Sequence, residues 1–85
     1  YKRQAVRQAA AQDPQDVPAQ LDVADLDVSG GHVEDAFTRL LQLVRRTAGE
    51  ERETVRQRLV ELFDVVGSEA PRVVAARGQL MRALF

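Results

Sequence analysis

The chain has 85 residues, of which 45% are hydrophobic and 29% charged, and its formal net charge at pH 7 is −1. This length allows one small domain, over residues 1–85, and the balance is that of a globular protein rather than a disordered one. The absence of cysteine excludes a disulfide, a thiol nucleophile and a thiolate zinc site. No apolar run is long enough to cross a bilayer, and the segment YKRQAVRQ lacks the apolar core of a signal peptide. We therefore expect a cytoplasmic protein.

Charge is distributed unevenly along the chain. No lysine or arginine lies between Arg7 and Arg39, and the rest is rich in arginine. The acidic residues of that interval are Asp13, Asp16, Asp22, Asp25, Asp27, Glu34 and Asp35. Either acidic helices neighbour basic ones in the fold, or the acidic segment forms a binding face. Because the net charge gives no attraction to nucleic acid or to an anionic membrane, we expect neither as a partner.

Helix patterns recur along the whole chain, whereas strand patterns do not. The first predicted helix covers residues 2–12 and is closed by Pro14, because the residue before a proline disfavours helical geometry. The second covers residues 17–29, with Asp16 as the cap of its first turn. It ends at the glycine pair 30–31, because glycine readily takes the left-handed conformation of a helix C-terminus.

Three more helices are predicted in the second half of the chain. The third, residues 33–46, has apolar residues at spacings of three and four, an acidic first turn and a basic last turn. The fourth covers about residues 50–66 and ends at Gly67, and the fifth starts at Pro71 and continues to the chain end. Short connections make neighbouring helices antiparallel. The predicted fold class is therefore all-α, a short right-handed array of five helices packed as hairpins.

His32 is the only histidine, and it lies close to Glu34 and Asp35. Structural zinc needs four ligands, and catalytic zinc usually takes three from the protein. No second histidine and no cysteine can complete such a set, and none of the serines or threonines has a second histidine to activate it. A residue directly after a Gly-Gly turn is also expected to be solvated. We therefore predict an exposed turn histidine, with no catalytic residue, no metal site and no cofactor.

A repeat is visible in the spacing of the helix ends. Pro14 and Ala48 each follow a helix and lie 34 residues apart, which is the tetratricopeptide period. In that frame, alanines occupy the positions where two helix backbones approach closely. Gln20 replaces the usual tryptophan, and Asp27 stands where a buried tyrosine is usual. Either Asp27 points to solvent, or the register is looser than this frame.

Residues 13–85 carry motifs that are together more specific than a generic repeat. They are AQLDVAD at 19–25, GHVEDA at 31–36, LVELFDVVG at 59–67 and the ending RGQLMRALF at 77–85. In order and spacing they resemble the C-terminal tetratricopeptide-like domain of the thioredoxin-like co-chaperones (the YbbN type, also called chaperedoxins). The resemblance implies that the chain is the C-terminal part of a larger bacterial cytoplasmic protein with an N-terminal thioredoxin-like domain. It also implies binding of unfolded or stressed client proteins and their delivery to folding chaperones.

The resemblance also suggests where binding occurs, because the first helix of each stacked hairpin usually lines a concave ligand-binding side. The side chains expected there are Leu21, Asp22, Asp25, Val28, Gln57, Arg58, Glu61 and Asp64. Leu21 and Val28 have the alternative of being ordinary core residues. Near the chain end, Leu84 and Phe85 either pack on the fourth helix or stay accessible to a partner or to a second copy of the chain.

Three functions fit these patterns, and none of them is enzymatic. The first is a protein-interaction module of a thioredoxin-like co-chaperone. The second is a dimerisation or spacer domain that binds no client. The third, a helix-turn-helix DNA-binding domain over residues 50–85, is disfavoured because Arg72, Arg77 and Arg82 are five residues apart. Each such step turns a helix by about 140°, which spreads the three side chains around it.

Overall fold

A computed structural model describes the backbone of residues 2–85 and the side chains of residues 4–85. The described residues form five helices and no strand, which confirms the all-α prediction. The helices are α1 (Lys2–Gln12), α2 (Val17–Ser29), α3 (Val33–Arg46), α4 (Gly49–Val66) and α5 (Pro71–Leu84). Each one begins and ends within a residue of its predicted limit.

Local interactions at the helix ends account for this agreement. The Asp16 carboxylate accepts a 3.2 Å hydrogen bond from the backbone N–H of Ala19, which satisfies one of the free amides at the start of α2. Beyond the end of α2, Gly31 has a φ of +87°, a conformation that side chains with a Cβ rarely adopt. Pro71 opens α5, where its missing N–H removes no helical hydrogen bond. The predicted limits therefore rest on short-range chemistry.

The five helices pack as an array of hairpins. α2 and α3 form the most closely packed pair, α1 packs on α2, and α3 contacts both helices of the following pair. α2 also contacts α4, so the first helices of the two hairpins lie next to each other. α4 and α5 contact each other much less than α2 and α3 do. The C-terminal pair is therefore splayed, and α1 and α5 are the two ends of the array.

A single large apolar core joins α2 to α5, with α3 at its centre. Leu40 and Leu43 of α3 and Leu59 of α4 are fully buried. The rings of Phe37 and Phe63 meet edge to face, with their centroids 5.1 Å apart and their planes at 83°. Each large side chain buried in this way contributes about 1.5–3 kcal/mol. This core fixes the position of α4 and α5 against α3.

Two polar side chains of α2, Gln20 and Asp27, are also buried, with 3% and 4% of their surface exposed. Arg7 of α1 donates a 2.8 Å hydrogen bond to the Asp27 carboxylate, whose other oxygen lies 3.9 Å from Nε of Arg39 on α3. Arg39 also donates to the Gln20 side-chain oxygen at 2.8 Å, and the Gln20 amide donates to the Ala10 carbonyl at 2.9 Å. Of the two alternatives for Asp27, the one in which it points to solvent is wrong. Asp27 takes the buried position of the repeat because arginines from α1 and α3 compensate its charge.

Candidate protein-interaction surfaces

The predicted concave residues lie on α2 and α4, and three of them meet in an ion-paired strip. Arg58 of α4 donates a 2.5 Å hydrogen bond to the Asp25 carboxylate of α2, and its Nε lies 3.8 Å from the Glu61 carboxylate. All three side chains are partly exposed, so the strip is solvated. Ion pairs of this kind contribute little to stability, about 0–1 kcal/mol. The strip joins the two helices and offers a polar surface.

The other predicted concave residues lie elsewhere or add no apolar surface. Leu21 is 5% exposed and belongs to the core, as in the alternative for this residue, and Val28 packs half-buried against the same core. Asp22, Gln57 and Asp64 are exposed. Asp22 faces a trough between α1 and α2, and Asp64 lines a groove between α4 and α5. The structure therefore does not join all eight residues into one binding groove.

An apolar groove does exist where α4 and α5 diverge, and its volume is about 440 Å³. We call it the C-terminal groove. It is lined by Val60, Phe63, Leu80, Met81, Leu84 and Phe85, together with Arg56, Asp64 and Arg77. Val60 is 38% exposed, Met81 57% and Phe85 97%. The groove thus presents large apolar side chains directly to solvent.

The two predicted C-terminal contact residues both line this groove, but their surroundings differ. Leu84 is partly buried and packs against the main core, whereas Phe85 is almost fully exposed. Of the two alternatives at the chain end, core packing applies to Leu84 and accessibility to Phe85. Leu84 therefore helps to hold the end of α5 on the core, and Phe85 is accessible to a partner.

Arginines flank the apolar lining and are held by neighbours. Arg56 donates two hydrogen bonds, of 2.6 and 2.8 Å, to the Glu53 carboxylate. These bonds to Arg56 lower the pKa of Glu53 below its ordinary value. The Arg77 guanidinium lies 5.8 Å from the centroid of the Phe63 ring and donates to the Ser68 carbonyl at 3.3 Å. These contacts therefore hold both arginines in place beside the apolar lining of the groove.

The sequence analysis did not identify Val60 of α4 and Met81 of α5 as part of a binding surface. For Met81, the apolar pattern of α5 does contain a signal. Val73, Ala76 and Leu80 of α5 are buried, so they define the core side of the helix. Val74 and Met81 are seven residues apart and therefore lie on one separate, exposed face. Apolar residues on two faces of one helix are typical of a helix that is covered on both sides. The pattern is readable only once the core side of α5 is known.

His32 does not line the C-terminal groove or the trough between α1 and α2. It is exposed, precedes α3, and makes no side-chain hydrogen bond to the first turn of that helix. Within the described side chains, no group of three or more histidine, cysteine, aspartate or glutamate residues is arranged to hold a metal ion. No helix among residues 2–85 is both long and apolar enough to cross a membrane.

The arginines of α5 face different neighbours. Arg72 lines a hollow between α3 and α5 together with Glu34 and Phe37, whereas Arg77 lies over Phe63 of α4. A recognition helix needs its base-contacting side chains on one face. This placement gives no support to the DNA-binding alternative, and the absence of a nucleic-acid partner stays a prediction.

The helical-hairpin array agrees with comparison to known families. The tetratricopeptide repeat family matches residues 2–85, nearly the whole chain. The chain belongs to the tetratricopeptide repeat family. Tetratricopeptide domains generally act as non-enzymatic modules that mediate protein–protein interaction. An exposed apolar groove is a surface of the kind that this role requires.

This tetratricopeptide domain is also similar to curated mycobacterial proteins. It is 49% identical over 70 residues to uncharacterized protein Rv1324 of Mycobacterium tuberculosis and, to the same extent, to uncharacterized protein Mb1359 of Mycobacterium bovis. The match covers 82% of this chain and 23% of each relative, so the domain spans about a quarter of their length. No solved structure matches the chain.

Proposed function

We propose that this tetratricopeptide domain is the client-binding module of a thioredoxin-like co-chaperone, and that it binds apolar segments of unfolded proteins in the C-terminal groove. The observation that carries the proposal is the exposure of Val60, Met81 and Phe85 around one groove. The general role of the family and the resemblance of the chain's motifs to this co-chaperone class support it. The polar strip of Asp25, Arg58 and Glu61 is then a solvated neighbouring surface.

The chemistry of the groove suits clients of varied sequence. Unfolded segments expose apolar side chains, and burial of apolar surface gains about 25 cal/mol per Å² whatever the residue order. Met81 has an unbranched, polarisable side chain that adapts to differently shaped ligands. Arg56, Arg77 and Asp64 supply charges of both signs at the same groove, so no single client charge is selected. The groove therefore favours a general apolar client over a defined peptide.

The remaining partners in the proposal follow from the resemblance to this co-chaperone class. They are a folding chaperone that receives the client and an N-terminal thioredoxin-like domain in the parent protein. Most of the length of the mycobacterial relatives lies outside the matched region, which leaves room for another domain. The sequence encoded upstream of Tyr1 tests this part directly. A thioredoxin fold there supports the proposal, and any other fold contradicts the co-chaperone assignment.

Client binding is tested by titrating the chain with a chemically unfolded, fluorescently labelled protein and by following aggregation of that client by light scattering. The groove variant is Met81→Glu, and the matched control is Val65→Glu on α4, outside the groove, where the side chain is 71% exposed. Met81→Glu should weaken binding about tenfold or more, since a lost apolar contact of about 1.4 kcal/mol is tenfold in affinity. Val65→Glu should bind like the unmodified chain.

Two outcomes would contradict the proposal. A chain that neither binds the client nor slows its aggregation is the spacer or dimerisation domain of the second hypothesis. Equal binding by the two variants would remove the C-terminal groove from the mechanism. Both tests use single substitutions, because a truncation that removed Leu80, which is 5% exposed in the core, would disturb α5 itself.

A further inference from the structure

A shallow trough of about 340 Å³ lies between α1 and α2, at the end of the array opposite to α5. We call it the N-terminal trough. Its lining is small and mostly apolar, with two acidic residues: Ala5, Val6, Ala9, Pro18, Ala19, Asp16 and Asp22. Ala5, Ala9 and Pro18 are exposed, so the trough is open to solvent. Side chains this small leave space for a large apolar side chain from outside.

The opposite end of the molecule presents such side chains. Phe85 is 97% exposed and Met81 57%, and the intervening Arg82 is exposed as well. Every charged residue of α5 is an arginine, whereas the two charged residues that line the N-terminal trough, Asp16 and Asp22, are acidic. The N-terminal trough and the end of α5 are thus complementary in size, since one offers small side chains and the other large ones, and in the sign of their charge.

We infer that the N-terminal trough binds the end of α5 from a second copy of this chain, with Phe85 and Met81 against the alanines and Arg82 beside Asp22. Each copy offers one trough and one α5 end, so the contact is head to tail and can join more than two copies. The inference goes beyond the proposed function, because it assigns the surface between α1 and α2. It also places a second copy in competition with a client, since Met81 and Phe85 line the C-terminal groove.

Sedimentation velocity on the full chain over a range of concentrations tests this arrangement. Ala9→Arg places a long side chain in the trough, and arginine is also a good helix former. Phe85→Glu removes the inserted ring at a position just beyond the last residue of α5. Both positions are exposed, so both variants should fold, which circular dichroism checks. Ala11→Arg is the matched control, because it adds the same charge to α1 at an exposed site that does not line the trough.

The unmodified chain and Ala11→Arg should gain mass with concentration, whereas Ala9→Arg and Phe85→Glu should each remain monomeric. An equimolar mixture of Ala9→Arg and Phe85→Glu should form a species of twice the monomer mass and nothing larger, since only one trough and one intact α5 end remain in each pair. A monomeric unmodified chain, self-association by Ala9→Arg, or a mixture without that species would each overturn the inference.

The client titration separates this inference from the proposed function. Ala9 lies outside the C-terminal groove, so Ala9→Arg should lose self-association and keep client binding. Client binding by a chain that stays monomeric contradicts only the inference. Head-to-tail association without client binding contradicts only the proposed function.

Discussion

Arg7 of α1 donates a 2.8 Å hydrogen bond to the carboxylate of Asp27, 20 residues further along the chain on α2. The Asp27 side chain is 5% exposed, whereas the Arg7 side chain is 47% exposed. Loss of the arginine would therefore leave a buried carboxylate whose other arginine neighbour is 3.9 Å away. Arg7 is thus a main attachment point of α1 to the rest of the array.

Replacing Arg7 by alanine should lower the free energy of unfolding by about 1–2 kcal/mol, the cost of leaving a buried charged acceptor short of a partner. Urea denaturation followed by circular dichroism measures this difference. Gln8→Ala, an exposed substitution on the same helix, should change stability by less than about 0.5 kcal/mol. Equal effects of the two substitutions would show that the Arg7–Asp27 contact does not stabilise the fold.

Phe63 should be among the most sensitive positions of the core. It is 2% exposed, and its ring meets Phe37 edge to face at 5.1 Å. Phe63→Ala should lower the free energy of unfolding by about 3–5 kcal/mol, because it opens a cavity and loses the aromatic pair. The thermal unfolding temperature should fall accordingly. Val65→Ala, at a 71% exposed site two residues away, should leave it nearly unchanged. A similarly small effect at both positions would contradict this packing of α3 against α4.

Replacing two of the glycines by alanine should change the stability of the fold in opposite directions. Gly78 lies inside α5, and the nearest heavy atom to an added Cβ would be a flexible Arg82 nitrogen at 3.6 Å, so Gly78→Ala should stabilise by about 0.5–1 kcal/mol. Gly31 has a φ of +87°, so Gly31→Ala should destabilise by about 1 kcal/mol or more, although its Cβ would meet nothing within 4 Å. Chemical denaturation measures both. Stabilisation by both substitutions would contradict the left-handed turn after α2.

The contact between Glu53 and Arg56 should be visible in a pH titration. Hydrogen bonds from Arg56 lower the pKa of Glu53 below its ordinary value. The stabilisation from this contact is therefore complete above the ordinary pKa of glutamate and is lost as the pH falls through the lowered pKa. An NMR titration of the Glu53 carboxyl group should show the depressed pKa, and Arg56→Gln should raise it toward the ordinary value. An unchanged pKa in Arg56→Gln would contradict the contact.

The helices could be predicted closely because their limits depend on neighbours in the sequence. Asp16 and Pro14 act within one turn of the helices that they bound, and Gly31 acts at the turn that it occupies. The 34-residue spacing likewise predicted the hairpin array, since it compares equivalent points in successive two-helix repeats. These signals require no knowledge of which helix faces touch.

The burial of Asp27 and the position of the groove could not be predicted in this way. Asp27 is buried because Arg7 and Arg39 reach it from two other helices, and an acidic residue alone predicts exposure. The C-terminal groove exists because α4 and α5 diverge, which depends on how each of them packs on α3. Val60 and Met81 are apolar residues like many others in the chain until that divergence exposes them.

NMR spectra of the ¹⁵N-labelled chain, recorded during titration with an unfolded client, show which surface of the domain binds the client. The amide signals of Val60, Met81 and Phe85 should shift first and most, since these exposed side chains surround the C-terminal groove. Shifts confined to the strip of Asp25, Arg58 and Glu61, with the groove signals unmoved, would contradict binding in the C-terminal groove.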